Sequence, residues 1–257
     1  MGDSTTRGLV TSVTKVSSHL VRITLRVSRG LKYHPGQWIR LAHNVTELSR
    51  GEFTSFQLSS CPTQALRTNQ YEVFAETGLL PQFVKGLGRV RVGDLLWLEG
   101  PFGNFWPLSA RPHEQVVWVA TPTSIGPFLS CIRSHNFEKM RPRKILLIVQ
   151  VGREDEMPWR KCFESKGVTV LPCVEHPSEW IEGFWGSVLG LFNHSALKLD
   201  FLKCRFFLSL ENSTNQEVFQ ALVEKKKVPL NQIVMNSEKT TQPVQVTEQP
   251  SRFSKAA

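Results

Sequence analysis

An apolar run, Val116–Ala120, is followed by four turn residues, Thr121–Ser124, and by a second apolar segment that opens near Pro127. A buried strand, a tight turn and a helix that begins near a proline are typical of a nucleotide-binding β-α unit. Loops that bind pyrophosphate normally use glycine, because backbone N–H groups must approach the phosphates closely. Pro122 has no N–H to donate and Ser124 carries a side chain. The sequence therefore predicts the architecture of a dinucleotide site with altered chemistry.

Other catalytic and metal-binding patterns are absent from the sequence. The 7 histidines show no H-x-x-x-H or H-E-x-x-H spacing, and no P-loop, EF-hand loop or G-x-S-x-G turn is present. The 5 cysteines are scattered and odd in number, without C-x-x-C spacing. This argues against a disulfide framework, structural zinc and an iron–sulfur cluster. We predict no metal site, and we expect reduced thiols.

Length and composition are those of an ordinary globular protein. The 257 residues, 40% hydrophobic and 21% charged, suffice for one large domain or two modest ones. The longest apolar runs, such as Ile145–Val149, are too short to cross a bilayer. The N-terminus lacks the apolar stretch of a signal peptide. We therefore expect a soluble cytoplasmic protein without a transmembrane segment.

The formal net charge of +9 raises nucleic acid or an acidic protein as partners. The basic residues are spread along the chain, with only short clusters at Arg141–Lys144 and Lys225–Lys227. No zinc finger, RNP-type aromatic motif or basic helix accompanies them. We predict a solvated basic surface and no specific nucleic-acid site, and we leave an acidic protein partner open.

The first hundred residues are rich in strand patterns. Leu20–Val27 alternates apolar and polar residues, as a half-buried strand does. Further short strands are predicted at Gly36–Leu41, Phe53–Leu58, Tyr71–Phe74 and Leu95–Leu98. Strands at this spacing predict a closed antiparallel barrel. The helical spacing of Leu79–Leu87 places a helix at one end of that barrel.

Beyond about residue 108, strand and helix patterns alternate. The predicted strands are Val116–Ala120, Ile145–Val149, Val168–Leu171 and Phe206–Leu208, and the predicted helices lie near Gly126–Phe137, Met157–Ser165 and Asn215–Lys225. This βαβ order predicts a mostly parallel sheet with helices on both faces. We interpret the acidic run 154–156 as the start of a helix. We divide the chain into a barrel domain (1–108), an α/β domain (109–236) and a polar tail (237–257) predicted to be disordered.

Five segments carry a resemblance to a known superfamily. They are HPGQWIRL (34–41), FTSFQLSSCP (53–62), RVGDLLWLEGPFGNF (91–105), VATPTSIGPFLS (119–130) and FFLSLENS (206–213). In this order they resemble the ferredoxin–NADP reductase superfamily, and most of all the bacterial ferredoxin/flavodoxin–NADP reductases. The third segment is the most specific of the five. The resemblance spans about residues 8–236 and implies an FAD-binding barrel followed by an NAD(P)-binding domain.

The resemblance implies flavin contacts in the second segment. Its family pattern, R-x-Y-S-x-x-S, supplies an arginine to the FAD pyrophosphate, a tyrosine to the isoalloxazine ring and a serine to the N5 region. Thr54, Phe56 and Gln57 stand at these positions, and Ser60 keeps the last serine. Phe56 can stack and Gln57 can hydrogen-bond, whereas Thr54 cannot make the bidentate contact of an arginine. A purely structural role of Phe56 in the barrel core is an equal alternative.

A second phosphate contact of the family comes from a turn at the start of a helix. Gly78 and Leu79 keep two residues of that turn, and Leu80 stands where a hydroxyl residue is usual. The helix start would still offer backbone donors to FAD.

The family's nicotinamide turn, G-T-G-I-A-P, corresponds to residues 122–127. Thr123 fits the pattern, whereas Pro122 and Ser124 replace both key glycines. With Thr121 before them, Thr123 and Ser124 are the candidate contacts of this turn. The resemblance makes Arg153 the best remaining cation for the dinucleotide.

Two further positions bear on nicotinamide chemistry. Glu175 stands near the place of a 2′-phosphate site and would repel that group, although it could bond a ribose diol. Ser209 takes the place of the family's cysteine near the nicotinamide and is the candidate catalytic residue. Leu210 would crowd a position that glycine normally keeps open.

The resemblance leaves two functions open. The first is an FAD-dependent oxidoreductase that passes electrons between a nicotinamide cofactor, FAD and a small, acidic acceptor protein. The alternative is a pseudoenzyme that uses the reductase fold as a protein-interaction scaffold, since function resides in sites rather than folds. The altered turn predicts weak or absent binding of NAD(P)H under either function.

Overall fold

Two six-stranded sheets follow one another along the chain. The computed structural model describes residues 6–42, 53–76, 90–108, 115–177, 183–195 and 197–236. The strands of the first sheet are β1 (Thr6–Lys15), β2 (Leu20–Val27), β3 (Trp38–Ala42), β4 (Thr54–Gln57), β5 (Gln70–Glu76) and β6 (Leu95–Phe102). Their order is β4-β3-β6-β1-β2-β5 and every pairing is antiparallel.

The first sheet closes into a barrel-like form. A bridge between Leu58, just after β4, and Val73 of β5 joins the two edge strands. Alternate residues of β2, such as Ile23 and Leu25, are fully buried in the barrel core, because successive side chains of a strand point to opposite faces. The antiparallel barrel expected from the strand spacing is thus confirmed.

The second sheet is parallel throughout its described pairs. Its strands are β7 (Gln115–Ala120), β8 (Lys144–Val151), β9 (Thr169–Val174), β10 (Phe184–Trp185), β11 (Cys204–Ser209) and β12 (Ile233–Met235). They lie in the order β10-β9-β8-β7-β11-β12. The α/β class predicted for this half is therefore confirmed.

Short helices cover both faces of the parallel sheet. They are α2 (Gly126–Arg133), α3 (Phe137–Met140), α4 (Arg160–Glu164), α5 (Val188–Asn193) and α6 (Asn212–Gln220), which continues as a π-helical segment, Ala221–Lys225. A further helix, α1 (Pro62–Thr68), belongs to the barrel half and lies between β4 and β5 in the chain. Within β7, Trp118 packs with α2 and α4 on one face, whereas Val117 and Val119 pack with α5 and α6 on the other. Burial on both faces explains why β7 is apolar at successive positions rather than at alternate ones.

The two halves share one apolar core. Trp118 stacks on Phe128 of α2 with ring centroids 4.9 Å apart, and its indole Nε1 donates to the carbonyl oxygen of Pro107 at 3.2 Å. Phe105, from the segment after β6, packs edge-on against Phe128 and Phe207. Because residues 109–114 lie outside the described ranges, the domain boundary near residue 108 stays a prediction.

Two of the predicted helical segments differ from the observed ones, and a third lies outside the described residues. The helix expected over 126–137 ends at Arg133, because Ser134 is extended, and a separate turn, α3, follows. The acidic run 154–156 was wrongly assigned to a helix start: it forms a 3₁₀ turn, and α4 begins only at Arg160. The helix predicted at Leu79–Leu87 and the tail from residue 237 lie outside the described residues.

Candidate functional site

A cleft of about 480 Å³ lies where the barrel meets the carboxyl ends of β7 and β11. We call it the barrel-side cleft; its lining residues are Thr54–Gln57, Phe74–Glu76, Thr123, Ser124, Ser209–Glu211 and Asn236. Ligands of open α/β sheets bind outside the carboxyl ends of the strands. The cleft is therefore in the position where this architecture places a ligand.

Strand β4 brings three predicted flavin contacts, Thr54, Phe56 and Gln57, into the barrel-side cleft. The ring of Phe56 is only 5% exposed and belongs to the barrel core cluster, so most of its surface packs inward. The Oε1 atom of Gln57 is buried and makes no hydrogen bond with any described residue. A buried acceptor without a donor is unfavourable by about 1–3 kcal/mol, and such atoms occur preferentially where a ligand or water completes them.

Helix α2 begins in direct contact with Gln57. A Cβ atom added to Gly126 would lie 2.9 Å from the Cβ atom of Gln57 and 3.1 Å from its carbonyl oxygen. Only glycine permits this approach. The contact fixes the turn after β7 against the strand that carries the predicted flavin contacts.

The turn after β7 is closed by a hydroxyl network of Thr121, Thr123, Ser124, Ser209 and Asn236. The Ser124 Oγ atom accepts from the Thr121 backbone N–H at 2.9 Å and contacts the Ser209 carbonyl oxygen. The Thr121 hydroxyl bonds those of Thr123 and Ser124 at 3.2 and 2.9 Å. The candidate contacts of the turn thus bond one another.

Ser209, the candidate catalytic residue, belongs to the same network. Its hydroxyl donates to the carbonyl oxygen of Ser124 at 2.9 Å and accepts from Asn236 Nδ2 at 3.2 Å. A serine hydroxyl has one proton to donate, so this proton is committed within the protein. With 1% of Ser209 exposed, the geometry gives it a bracing role between β7 and β11.

A second cleft, of about 410 Å³, adjoins the first and shares Glu76, Thr123 and Glu211 with it. We call it the acidic cleft, because four carboxylates line it: Glu76, Glu156, Glu175 and Glu211. The first is the last residue of the barrel strand β5, and the others follow β8, β9 and β11. No lysine or arginine of the described ranges lines this cleft, and His19 is its one basic side chain.

Two of these carboxylates are held by hydrogen bonds. Glu156 Oε2 accepts from the Gly152 backbone N–H at 2.9 Å, and Glu175 Oε1 accepts from Gln150 Nε2 at 2.7 Å. Burial, together with the carboxylates of Glu211 and Glu156, raises the pKa of Glu76 against a smaller opposing effect of His19. The cleft therefore disfavours further negative charge.

Glu76→Gln should change stability in a pH-dependent way. Because the pKa of Glu76 is raised in the folded state, that state binds more protons, and wild-type stability falls as pH rises from the ordinary glutamate value to the raised one. Glutamine carries no charge and avoids this loss. We expect the variant to unfold at a higher urea concentration than wild type at about pH 7, with the difference vanishing below about pH 4.

Glu72→Gln is a matched control for this experiment. The Glu72 carboxylate pairs with Arg133 at 2.8 Å, so its neutralisation should lower stability at about pH 7. A Glu76→Gln variant that is less stable than wild type at about pH 7 would contradict the prediction.

The remaining predicted contacts lie elsewhere. Ser60 bonds the Tyr33 hydroxyl at 2.9 Å, accepts from the Glu72 backbone N–H, and lines a separate cavity of about 550 Å³. Arg153 is exposed and lines neither cleft. Residues 78–80, with Gly78, Leu79 and Leu80, lie outside the described residues.

Sequence reasoning missed Glu76 and Asn236 as site residues. Glu76 ends β5 and Asn236 follows β12, an element too short to show a pattern. The only signal was indirect: both lie at the carboxyl end of a strand, and strand ends are where α/β folds build sites.

The described ranges contain neither a metal site nor a membrane helix. No group of three or more histidine, cysteine or acidic side chains there could hold a metal ion. None of the helices in the same ranges is long and apolar enough to cross a membrane. All five cysteines are free thiols.

Comparison with known proteins identifies the fold. No family model and no curated protein matches the chain. Among solved structures, a ferredoxin NADP+ reductase from Neisseria gonorrhoeae with bound FAD and NADP matches with a TM-score of 0.72 and 18% identity over 91% of this chain and 98% of that one. The chain has the ferredoxin reductase fold.

Other proteins with the ferredoxin reductase fold match equally broadly. A cytochrome P450 reductase from Amycolatopsis matches with a TM-score of 0.72 and 15% identity, over 91% of this chain and 69% of that one. The FAD/NAD-binding domain of a nitric oxide dioxygenase from Vibrio cholerae matches with a TM-score of 0.70 and 17% identity, over 90% and 97%. At these identities the similarity establishes the reductase fold alone, and the function has to be argued from the site.

The two cofactors implied by the ferredoxin reductase fold fit this chain differently. The barrel-side cleft offers a buried, unpaired acceptor, Gln57 Oε1, at a position assigned to the flavin ring. The nicotinamide turn offers self-bonded hydroxyls beside four carboxylates. The residues present fit a flavin ring and do not fit a dinucleotide pyrophosphate.

Proposed function

We propose that the protein is a flavin-dependent oxidoreductase that binds FAD in the barrel-side cleft, takes electrons from a reduced carrier protein and passes them to an acceptor protein. The observation that supports this most directly is the buried, unpaired Oε1 atom of Gln57, a residue that lines the cleft between the two halves. An isoalloxazine ring carries one N–H group when oxidised, at N3, and a second at N5 when reduced, and such an acceptor can bond either. A bound flavin would supply the one- and two-electron chemistry that these side chains lack.

The chain's own residues would bind and orient the ring. Phe56 and Phe74 give the cleft apolar walls, and Gln57 is held in place by its contact with Gly126. Thr54 offers a hydroxyl where an arginine would pair with phosphate, which lowers affinity by about 1.5–3 kcal/mol. FAD binding is therefore expected to be weaker than in a reductase that keeps the arginine.

The formal charge of +9 supports an acidic acceptor protein. A positive surface steers a negatively charged partner and raises the association rate. Several of the matched structures are reductases by name, including the reductase component of a carbazole dioxygenase. Under this proposal the acceptor is a small, acidic electron carrier.

A second candidate is the non-catalytic scaffold. The observation that favours it is the hydroxyl network, which completes the turn after β7 without any ligand. Phe56 of β4 is likewise buried in the barrel core, so this strand also packs without any ligand. A protein that stays colourless after incubation with excess FAD, with no thermal shift, would favour this candidate over the flavoprotein.

Gln57→Leu tests the proposal with two readouts of opposite sign. Without flavin, removal of the orphaned acceptor should raise the free energy of unfolding by about 1 kcal/mol in urea denaturation. With FAD, loss of the same acceptor should weaken binding about tenfold, measured by flavin fluorescence titration.

Ser55→Ala is the control, because Ser55 lines the same cleft without being assigned a flavin contact. It should leave FAD affinity within about twofold of wild type. Equal FAD affinity of wild type and Gln57→Leu would contradict the assignment of this acceptor to the flavin.

A further inference from the structure

We infer that the protein does not use NADH or NADPH. The hydroxyl network uses groups of the turn that would otherwise bind a dinucleotide, and the four carboxylates of the acidic cleft repel its phosphates. The inference concerns the α/β half and does not rest on flavin binding. A dinucleotide needs three things at this edge of the sheet: free backbone donors for its pyrophosphate, a field that tolerates its negative charge, and room for the nicotinamide.

Two backbone donors of the turn are already used. The Thr121 N–H donates to Ser124 Oγ at 2.9 Å, and the Ser124 N–H donates to the Thr121 carbonyl oxygen at 3.2 Å. Pro122 has no N–H. A phosphate group would have to displace these internal bonds before it could accept from the same donors.

The electrostatic field opposes a pyrophosphate. The four carboxylates Glu76, Glu156, Glu175 and Glu211 line the cleft, and the described part of the chain places no lysine or arginine among them. Glu156 and Glu175 are fixed by hydrogen bonds to Gly152 and Gln150, so their charges cannot simply turn away. Like charges at close range disfavour binding and are a common means of rejecting a ligand.

The position that the superfamily keeps as glycine beside the nicotinamide carries a side chain here. Leu210 stands at this position and lines the barrel-side cleft, and its largely buried side chain packs in the apolar cluster with α5 and α6. Its backbone N–H donates to Asn215 Oδ1 at 3.1 Å, and Asn215 Nδ2 donates back to its carbonyl oxygen at 2.9 Å. These bonds fix the Leu210 backbone, which therefore lacks the freedom of a glycine at this position.

Calorimetric titration with NADH, NADPH and inorganic pyrophosphate tests the inference on four proteins. They are wild type, the turn variant Pro122→Gly/Ser124→Gly, the charge variant Glu76→Gln/Glu211→Gln, and the combination of both. We expect no heat of binding from wild type at millimolar ligand. We expect the combined variant to bind pyrophosphate at least tenfold more tightly than wild type does.

The charge variant keeps the test valid if the turn variants fail to fold. It leaves the hydroxyl network intact, and its pyrophosphate affinity should exceed that of wild type. Micromolar binding of either nicotinamide by wild type would overturn the inference. A folded combined variant that binds pyrophosphate no more tightly than wild type does would show that these residues are not what prevents binding. Failure of the protein to bind FAD would affect neither result.

Discussion

Gly36→Ala should lower the free energy of unfolding by about 3 kcal/mol or more. Gly36 has φ +99, and a Cβ atom there would lie 2.0 Å from the carbonyl oxygen of Phe105. The left-handed backbone disfavours a side chain by about 1–2 kcal/mol, and overpacking against a fixed atom adds about 1–3 kcal/mol. The displaced atom belongs to the segment that packs on Phe128, so we expect the shift to reach the shared core.

Gly93→Ala separates these two effects. Gly93 has nearly the same φ, +98, but a Cβ atom there would meet nothing within 4 Å. Only the unfavourable backbone conformation remains, so the free energy of unfolding should fall by about 1 kcal/mol. Urea denaturation followed by far-UV circular dichroism measures both variants. Equal losses in the two would show that the contact with Phe105 is not what makes Gly36 necessary.

Trp118→Ala should lower the free energy of unfolding by about 3–5 kcal/mol, because it removes the largest side chain of the core shared by the two halves. The indole is fully buried, stacks on Phe128 and donates to Pro107. Circular dichroism is the suitable probe, since the substitution removes a fluorophore. The expected result is one cooperative transition at a lower urea concentration.

Two further variants define what Trp118 contributes. Trp118→Phe keeps an aromatic ring but leaves the Pro107 carbonyl without its donor, so the loss should be about 1–2 kcal/mol. Leu202→Ala, at a side chain that is 55% exposed, should change stability by less than about 0.5 kcal/mol. A loss for Trp118→Ala no larger than for Leu202→Ala would contradict the shared core.

Local patterns in the sequence predicted the two kinds of sheet and several of their strands. The alternation in Leu20–Val27 predicted β2 with its observed bounds, because one face of that strand is buried and the other is not. The apolar run at Val116–Ala120 predicted a central strand because both of its faces are covered. Strand β1 was missed, since its apolar positions are interrupted by glycine, threonine and serine.

The chemistry of the site depended on tertiary contacts that no local pattern contains. Glu76 and Glu211 belong to different halves of the chain and come together only because the ends of β5 and β11, strands of two different sheets, line the same cleft. The sequence indicates a helix start at the 154–156 run. In the structure this run is a 3₁₀ turn in which Glu156 accepts from the Gly152 N–H, a contact that the pattern of charges does not reveal. The substitutions in the turn after β7 were visible in the sequence, but the bonds from Ser124 to Ser209 were not.

The hydroxyl network also bears on how such a protein can evolve. Replacement of Ser124 by glycine leaves the Thr121 N–H without its acceptor. Replacement of Ser209 leaves Asn236 Nδ2 without its acceptor and the Ser124 carbonyl without its donor. Each single step toward a glycine turn therefore destabilises the fold, while the carboxylates continue to repel a phosphate. Because neighbouring residues act non-additively, the benefit comes only after several steps. A dinucleotide site could therefore arise in this turn only through less stable intermediates.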